Sequence, residues 1–183
     1  TNTAGSYVFT GLSVESSGTK TYYLREISTV DNYQINDTVY PVTVTYTDSD
    51  QVTVTATPDP ITNMPYGNFA LTKTATWDGV TVSLPGVEFK VYPVSGENVK
   101  HNDGDAPADT IKTVLDVATN FATAVSKPLP SGWYEVVETL PDGFAPESGK
   151  SESVWVQVED GKTNTVYKDT PVVNVPNKGK FLL

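Results

Sequence analysis

The sequence predicts an all-β protein, an antiparallel β-sandwich built from tandem domains. Three observations predict it. Runs that alternate β-branched or aromatic residues with polar ones recur along the chain. Thirteen prolines and thirteen glycines punctuate those runs, at the spacing of roughly 8–12 residues that suits a sandwich. Finally, landmarks of the first part return in the same order later in the chain.

Taken in order, the first clear element is a hairpin. Val39 to Thr47 (Val-Tyr-Pro-Val-Thr-Val-Thr-Tyr-Thr) and Gln51 to Thr57 (Gln-Val-Thr-Val-Thr-Ala-Thr) flank the turn formers Asp48, Ser49 and Asp50. Both arms have the period-2 pattern of a half-buried strand. Phe69 to Lys73 reads as a strand, and so does Tyr134 to Glu138, while Lys90 lies in a strand-like run. Ile111 to Thr123 fits a helix and an irregular strand equally well, with apolar residues at 111, 114, 115, 118 and 121–122 but many β-branched ones and no firm cap. Val154–Val158, the Glu159-Asp-Gly-Lys162 turn and Thr163–Tyr167 are expected to repeat the earlier hairpin.

The repeat has a fixed period. Tyr22-Tyr-Leu-Arg-Glu26 returns as Tyr134-Glu-Val-Val-Glu138, 112 residues later. Ile61-Thr-Asn63-Met-Pro65 returns as Val172-Val-Asn174-Val-Pro176, at an offset of 111, and Gly67-Asn-Phe69-Ala-Leu71 as Gly179-Lys-Phe181-Leu-Leu183, again at 112. The period is that of a domain, not of a solenoid unit. The expected division is 1–66 as the later half of one domain, 67–178 as a complete domain, and 179–183 as the start of a further repeat.

Composition narrows the function. With 12 basic and 22 acidic residues the formal charge is −10, so nucleic acid and anionic membranes are poor partners. No run approaches the ~18 apolar residues that a membrane span needs. No signal peptide stands at the start. Cysteine is absent and His101 is the single histidine, which excludes thiol catalysis and multi-histidine metal centres. The expectation is no cofactor and no turnover enzyme.

Three rows place a polar group where alternation demands an apolar one. Phe69, Leu71 and Lys73 share a face, as do Tyr134, Val136 and Glu138, and Val172, Asn174 and Pro176. An isolated buried charge is too costly to keep, so such groups pair or neutralise. A snorkelling lysine and a strand-end glutamate explain any one row. They explain three rows poorly, because Glu26 and Asn63 repeat two of them upstream. Lys, Glu and Asn together suit one reaction. Burial lowers the lysine pKa and raises that of the acid, leaving a neutral amine beside a protonated carboxyl. The amine attacks the Asn174 side-chain carbonyl, Glu138 polarises it and relays protons, and ammonia leaves.

These residues resemble the collagen-adhesin B-type (CnaB, prealbumin-like) domains of Gram-positive surface adhesins and pilins. The resemblance rests on Phe69-Ala-Leu-Thr-Lys73, on Leu84-Pro-Gly-Val-Glu-Phe-Lys-Val-Tyr92, on Leu129-Pro-Ser-Gly-Trp-Tyr-Glu-Val-Val-Glu138-Thr-Leu-Pro-Asp-Gly-Phe144, which is similar to that family's "E-box", and on Asn174-Val-Pro176. It implies an immunoglobulin-like β-sandwich and a Lys73–Asn174 isopeptide bond promoted by Glu138. Lys90 ranks a distant second as the lysine, since it lies outside the first-strand motif. Upstream, Glu26 and Asn63 hold the equivalent positions without a lysine partner, and Tyr22 to Tyr33 lacks the usual Pro and Gly of the E-box. The implied role is a cell-wall-anchored, extracellular stalk or pilus module, whose partners are neighbouring repeats and, through a distal tip, a host protein or glycan. No sortase motif stands in these residues, so anchoring follows from the resemblance only. The alternative is a module that itself binds a host protein or glycan.

Weaker signals read as structure. Asp103, Asp105 and Asp109 lack the closing bidentate acid of a calcium loop, and Asp48 and Asp50 are turn formers first. Trp77, Trp133 and Trp155 are expected to pack in a core or between domains rather than to stack on sugars.

Overall fold

The computed structural model describes residues 9, 11–13, 18–48, 51–56, 61–167, 169 and 171–177. Asp50 and residues 179–183 lie outside the described residues, as do the tails of several expected strands. The described residues contain strands and no helix, so the all-β expectation holds. They fall into two compact units, one up to Asp31 with Ile35–Asn63, the other Asn32–Gln34 with Met64 onward.

The first unit is a three-stranded antiparallel sheet of β1 (Gly18–Leu24), β2 (Tyr40–Asp48) and β3 (Gln51–Ala56), in that order. Register sorts its residues by chemistry. Lys20, Val44 and Val54 form one cross-strand row and Tyr22 and Val42 another, while Thr19, Thr45 and Thr53 line the opposite face.

In the second unit the strands are β4 (Phe69–Trp77), β5 (Val80–Ser83), β6 (Glu88–Val94), β7 (Asp109–Lys112), β8 (Val114–Asp116), β9 (Phe121–Val125), β10 (Gly132–Thr139), β11 (Phe144–Pro146), β12 (Ser153–Val158), β13 (Thr165–Val166) and β14 (Val172–Pro176). One sheet has the order β12-β10-β6-β7. The other runs β11-β14-β4-β9-β8, with β5 and β13 also on β4. Phe69, Leu71, Phe89, Val91, Val136 and Val158 form its buried core, each of them the inward member of an alternating strand. Two glycines are forced. At Gly67 a Cβ would collide with the Glu159 carbonyl oxygen. The Asp78-Gly79 turn joins β4 to β5 with both residues at positive φ (49° and 78°), the geometry of a two-residue hairpin.

The Ile111–Thr123 segment, which fits helix and strand equally in sequence, is strand: β7, β8 and the start of β9, where branched side chains favour the pleated surface over a helix. Two expectations are corrected. The second hairpin does not form. β12 pairs with β10, whereas β13 lies parallel to β4 in the other sheet (Thr165 opposite Phe69). The Glu159–Lys162 turn therefore carries the chain between sheets. Trp77 is 69% exposed rather than packed, since the β4–β5 hairpin outreaches the core. Trp133 and Trp155 are half-buried, and the Trp155 indole N–H donates to the Val99 carbonyl at 2.7 Å.

Candidate functional site

β4 contributes Phe69, Leu71 and Lys73 to the inner face, and alternation buries Lys73 as completely as its apolar neighbours, at 0% exposure. β10 delivers Glu138 (4% exposed) beyond Tyr134 and Val136, and β14 delivers Asn174 (0%). β14 runs parallel to β4, with Val172 opposite Lys73 and Asn174 opposite Ala75. Three strands from two sheets thus converge on one point.

There the Lys73 Nζ lies 3.4 Å from Glu138 Oε2 and donates to the Val172 carbonyl at 3.2 Å. Asn174 Nδ2 donates to Glu138 Oε1 at 2.6 Å. Asn174 Oδ1 is buried without a hydrogen-bond partner, an arrangement that leaves the amide carbonyl short of one donor. Burial lowers the Lys73 pKa from 10.5 to about 8, against the opposing pull of the Glu138 charge and hydrogen bond. Burial likewise raises the Glu138 carboxyl above its ordinary range, with the Lys73 charge and the Asn174 and Lys73 hydrogen bonds acting the other way. Both shifts drive the pair toward neutral amine and protonated acid. When the acid holds the proton it has one to donate, and a turned Asn174 amide presents Oδ1 to receive it.

Lys90 is exposed and pairs with Val137 and Thr110 across β10 and β7; it does not join this cluster. In the first unit Asn63 Nδ2 donates to Glu26 Oε1 at 2.7 Å and to Thr29 Oγ1 at 2.5 Å. The second Glu26 oxygen accepts the Asn36 backbone N–H at 2.6 Å, the position that Lys73 takes on Glu138. Lys20 sits over the Tyr22 ring, 5.1 Å from its centroid, and is not among the described partners of Asn63. The isolated bridge Tyr33–Pro65 has the same place in the repeat as Phe144–Pro176.

Sequence reading overlooked a second buried acid. Glu135, on the opposite face of β10, accepts from the His101 backbone N–H at 2.8 Å and lies 2.6 Å from its Nδ1, while the His101 ring stacks on Tyr92 with centroids 3.7 Å apart. Burial pushes Glu135 up, but hydrogen bonds from His101 and Ser153 outweigh it and leave the carboxyl below its ordinary value. No local pattern marks Glu135, because any of the 22 acidic residues could meet the single histidine. Among the described residues no group of three or more His, Asp or Glu is placed to hold a metal ion, and Asp103, Asp105 and Asp109 form none.

Comparison with known proteins touches both the fold and the repeat. Residues 1–60 match the family described as SpaA: Prealbumin-like fold domain; the match falls on the segment that departs more from the E-box pattern. No curated protein matches. Among solved structures the chain is similar to GBS52, the minor pilin of the Gram-positive pathogen Streptococcus agalactiae, with 16% identity and a TM-score of 0.41 over 79% of this chain. The chain spans 63% of the length of that pilin. The molecule is an all-β protein whose residues 1–60 are similar to prealbumin-like domains.

Proposed function

We propose that this chain is a structural module of a Gram-positive cell-surface adhesin or pilus, stiffened by a self-made isopeptide bond between Lys73 and Asn174. The observation that carries the reading is the fully buried Lys73–Glu138–Asn174 cluster. Its cost to the fold is hard to justify for structure alone, since a buried ion pair is often no more stabilising than apolar residues of the same volume. A condensation removes that cost. The neutral Lys73 amine attacks Cγ of Asn174 while Glu138 donates to Oδ1. The tetrahedral intermediate then collapses, Glu138 relays a proton to the departing nitrogen, and one ammonia is released for one amide formed. The reaction happens once per chain, so the module is no turnover enzyme and needs no cofactor. The domain division at 66/67, the surface location and the neighbouring repeats as partners belong to the same proposal.

Intact mass tests it directly. The purified chain is expected to weigh one ammonia less than its sequence, with a Lys73–Asn174 linked peptide after digestion; an unmodified mass removes the mechanism. Glu138→Ala and Glu138→Gln should both fold and stay at the full mass, because neither side chain relays a proton. Bond formation at the normal rate in either would take Glu138 out of the chemistry.

Acidity gives a further check. The reactive state of the pair holds one proton. A second proton, gained as pH falls through the acid limb, leaves the amine charged and unreactive. Loss of the last proton, as pH rises past about 8, leaves no acid to polarise the carbonyl. Refolding the chain from denaturant over a pH series should therefore give a bell-shaped rate of mass loss with its alkaline limb near 8. A rate that keeps climbing above that limb would mean the free amine alone suffices.

A further inference from the structure

The outer face of the β11-β14-β4-β9-β8 sheet is almost free of charge. Residues opposite one another across strands share a face. β4 turns Ala70, Thr72, Thr74 and Thr76 to this one, and its neighbours add only Thr, Ser, Val, Ala and Phe side chains apart from Asp116. The Asp116 carboxylate is spent on the β8–β9 turn, where it accepts the Ala118 N–H and the Thr119 hydroxyl, each at 2.9 Å. The outer face of the other sheet, by contrast, carries Glu88, Lys90, Lys112 and Glu135. Four large apolar side chains stand out on the neutral face, Val114, Phe121, Val125 and Val166, each 47–68% exposed. They are contiguous, since Val166, Ala70 and Val125 form one cross-strand row and Thr72, Thr123 and Val114 the next. We infer that a second copy of this chain docks on this face, sheet against sheet.

Charge names the occupant. Two copies each carry −10 and repel over most of their surfaces, so they approach at least cost where the surface itself bears no charge. A cationic partner gains most by settling on the acidic remainder of the molecule, and an acidic one finds no cation here. The partner that matches is uncharged and rich in branched side chains, which describes the face itself. Apposed about a twofold axis, each copy offers the same patch to the other, and two such faces pack about 10 Å apart with their side chains interleaved. The exposed Val52 and Val54 of the first unit fit this less well, because Lys20 stands in the same cross-strand row as Val44 and Val54.

Size sets the strength. Five strands at a spacing of ~4.8 Å, over the length from Ala70 to Thr76 at ~3.3 Å per residue, span on the order of 500 Å². The pair then buries about 1,000 Å², short of the roughly 1,200–2,000 Å² of stable complexes. Pairing is therefore weak and reversible, with a Kd on the order of 100 µM. In the proposed stalk this face lies along the load path from β4 to β14, so the contact joins modules side by side rather than end to end. It needs no isopeptide bond, and a chain of unmodified mass should pair as well.

Sedimentation of the full chain over a concentration series tests it, with NMR to locate the contact. A monomer–dimer equilibrium is expected, tightening as salt rises from about 0.05 to 0.5 M because screening relieves the repulsion between copies. The amides of Thr72, Thr123 and Val125 should shift with concentration. Val125→Glu sets like charges against each other across the pair and should weaken it at least about tenfold, without loss of thermal stability at so exposed a position. Thr110→Glu, exposed on the other sheet, makes the same change in net charge and should leave pairing intact. If Val125→Glu unfolds, Val114→Glu takes its place. A chain monomeric at every concentration overturns the proposal, as does a dimer that salt dissolves or an equal loss in Thr110→Glu. Shifts that map instead to Val52 and Val54 give the contact to the first unit and overturn it too.

Discussion

Stretched between Phe69 and Pro176, the wild-type module should show no unfolding step for residues 74–173, whereas Lys73→Ala should release about 100 residues. At ~3.4 Å per extended residue that is a difference on the order of 300 Å in contour length, far outside the resolution limit of single-molecule pulling. The reason is the path taken by the force. Load enters on β4 and leaves on β14, and with the isopeptide bond in place it crosses from Lys73 to Asn174 covalently. Without the bond it must shear a short parallel contact, three residue pairs from Val172–Lys73 to Asn174–Ala75. Everything between 74 and 173 hangs outside the bonded path. Full extension of the wild type would leave the stalk reading without its mechanical basis.

The second large effect is thermodynamic. Closing a loop of ~100 residues is worth roughly 5 kcal/mol in the chain-entropy treatment, which for a domain of this size corresponds to about 20 °C in Tm. Lys73→Ala should lose more than that, because it also empties a fully buried side-chain site, a further cavity cost of about 2–5 kcal/mol. The double variant Lys73→Met with Glu138→Leu separates the two terms. It should recover the burial part and not the loop part, giving the order wild type, double variant, single variant in urea midpoint. A double variant as stable as wild type would mean that no covalent closure exists.

Strand content and the inner-face rows were legible because each rests on local alternation. Phe69, Leu71 and Lys73 must share a face in any strand, whatever it packs against. Pairing was less legible. Val52-Thr-Val54-Thr and Val154 to Tyr167 carry similar patterns, yet β3 pairs back onto β2 while β13 joins β4. Period-2 alternation says which side chains share a face, not which edge a strand will find. Residues 111–123 were ambiguous for a related reason: a short apolar run has no period of its own, and Val117 and Phe121 proved to be exposed. Trp77 misled through its size, since a strand position implies burial only where the opposite sheet reaches. Glu135 stayed hidden because its partner His101 comes from a loop 34 residues away.

The parallel course of β4 and β14 also sets how an array of such modules would grow. Had the first and last strands been antiparallel, the chain would enter and leave at the same end, and each repeat would hang sideways from a narrow spine. Here it enters near Phe69 and leaves near Pro176, at the far end of the same sheet. In the proposed stalk, each repeat would then advance the axis by at least the length of β4, about 30 Å at ~3.3 Å per residue. Reach would be proportional to copy number under that proposal, so adding or deleting one repeat would change how far a tip stands from the surface in fixed increments, with no other part of the molecule redesigned.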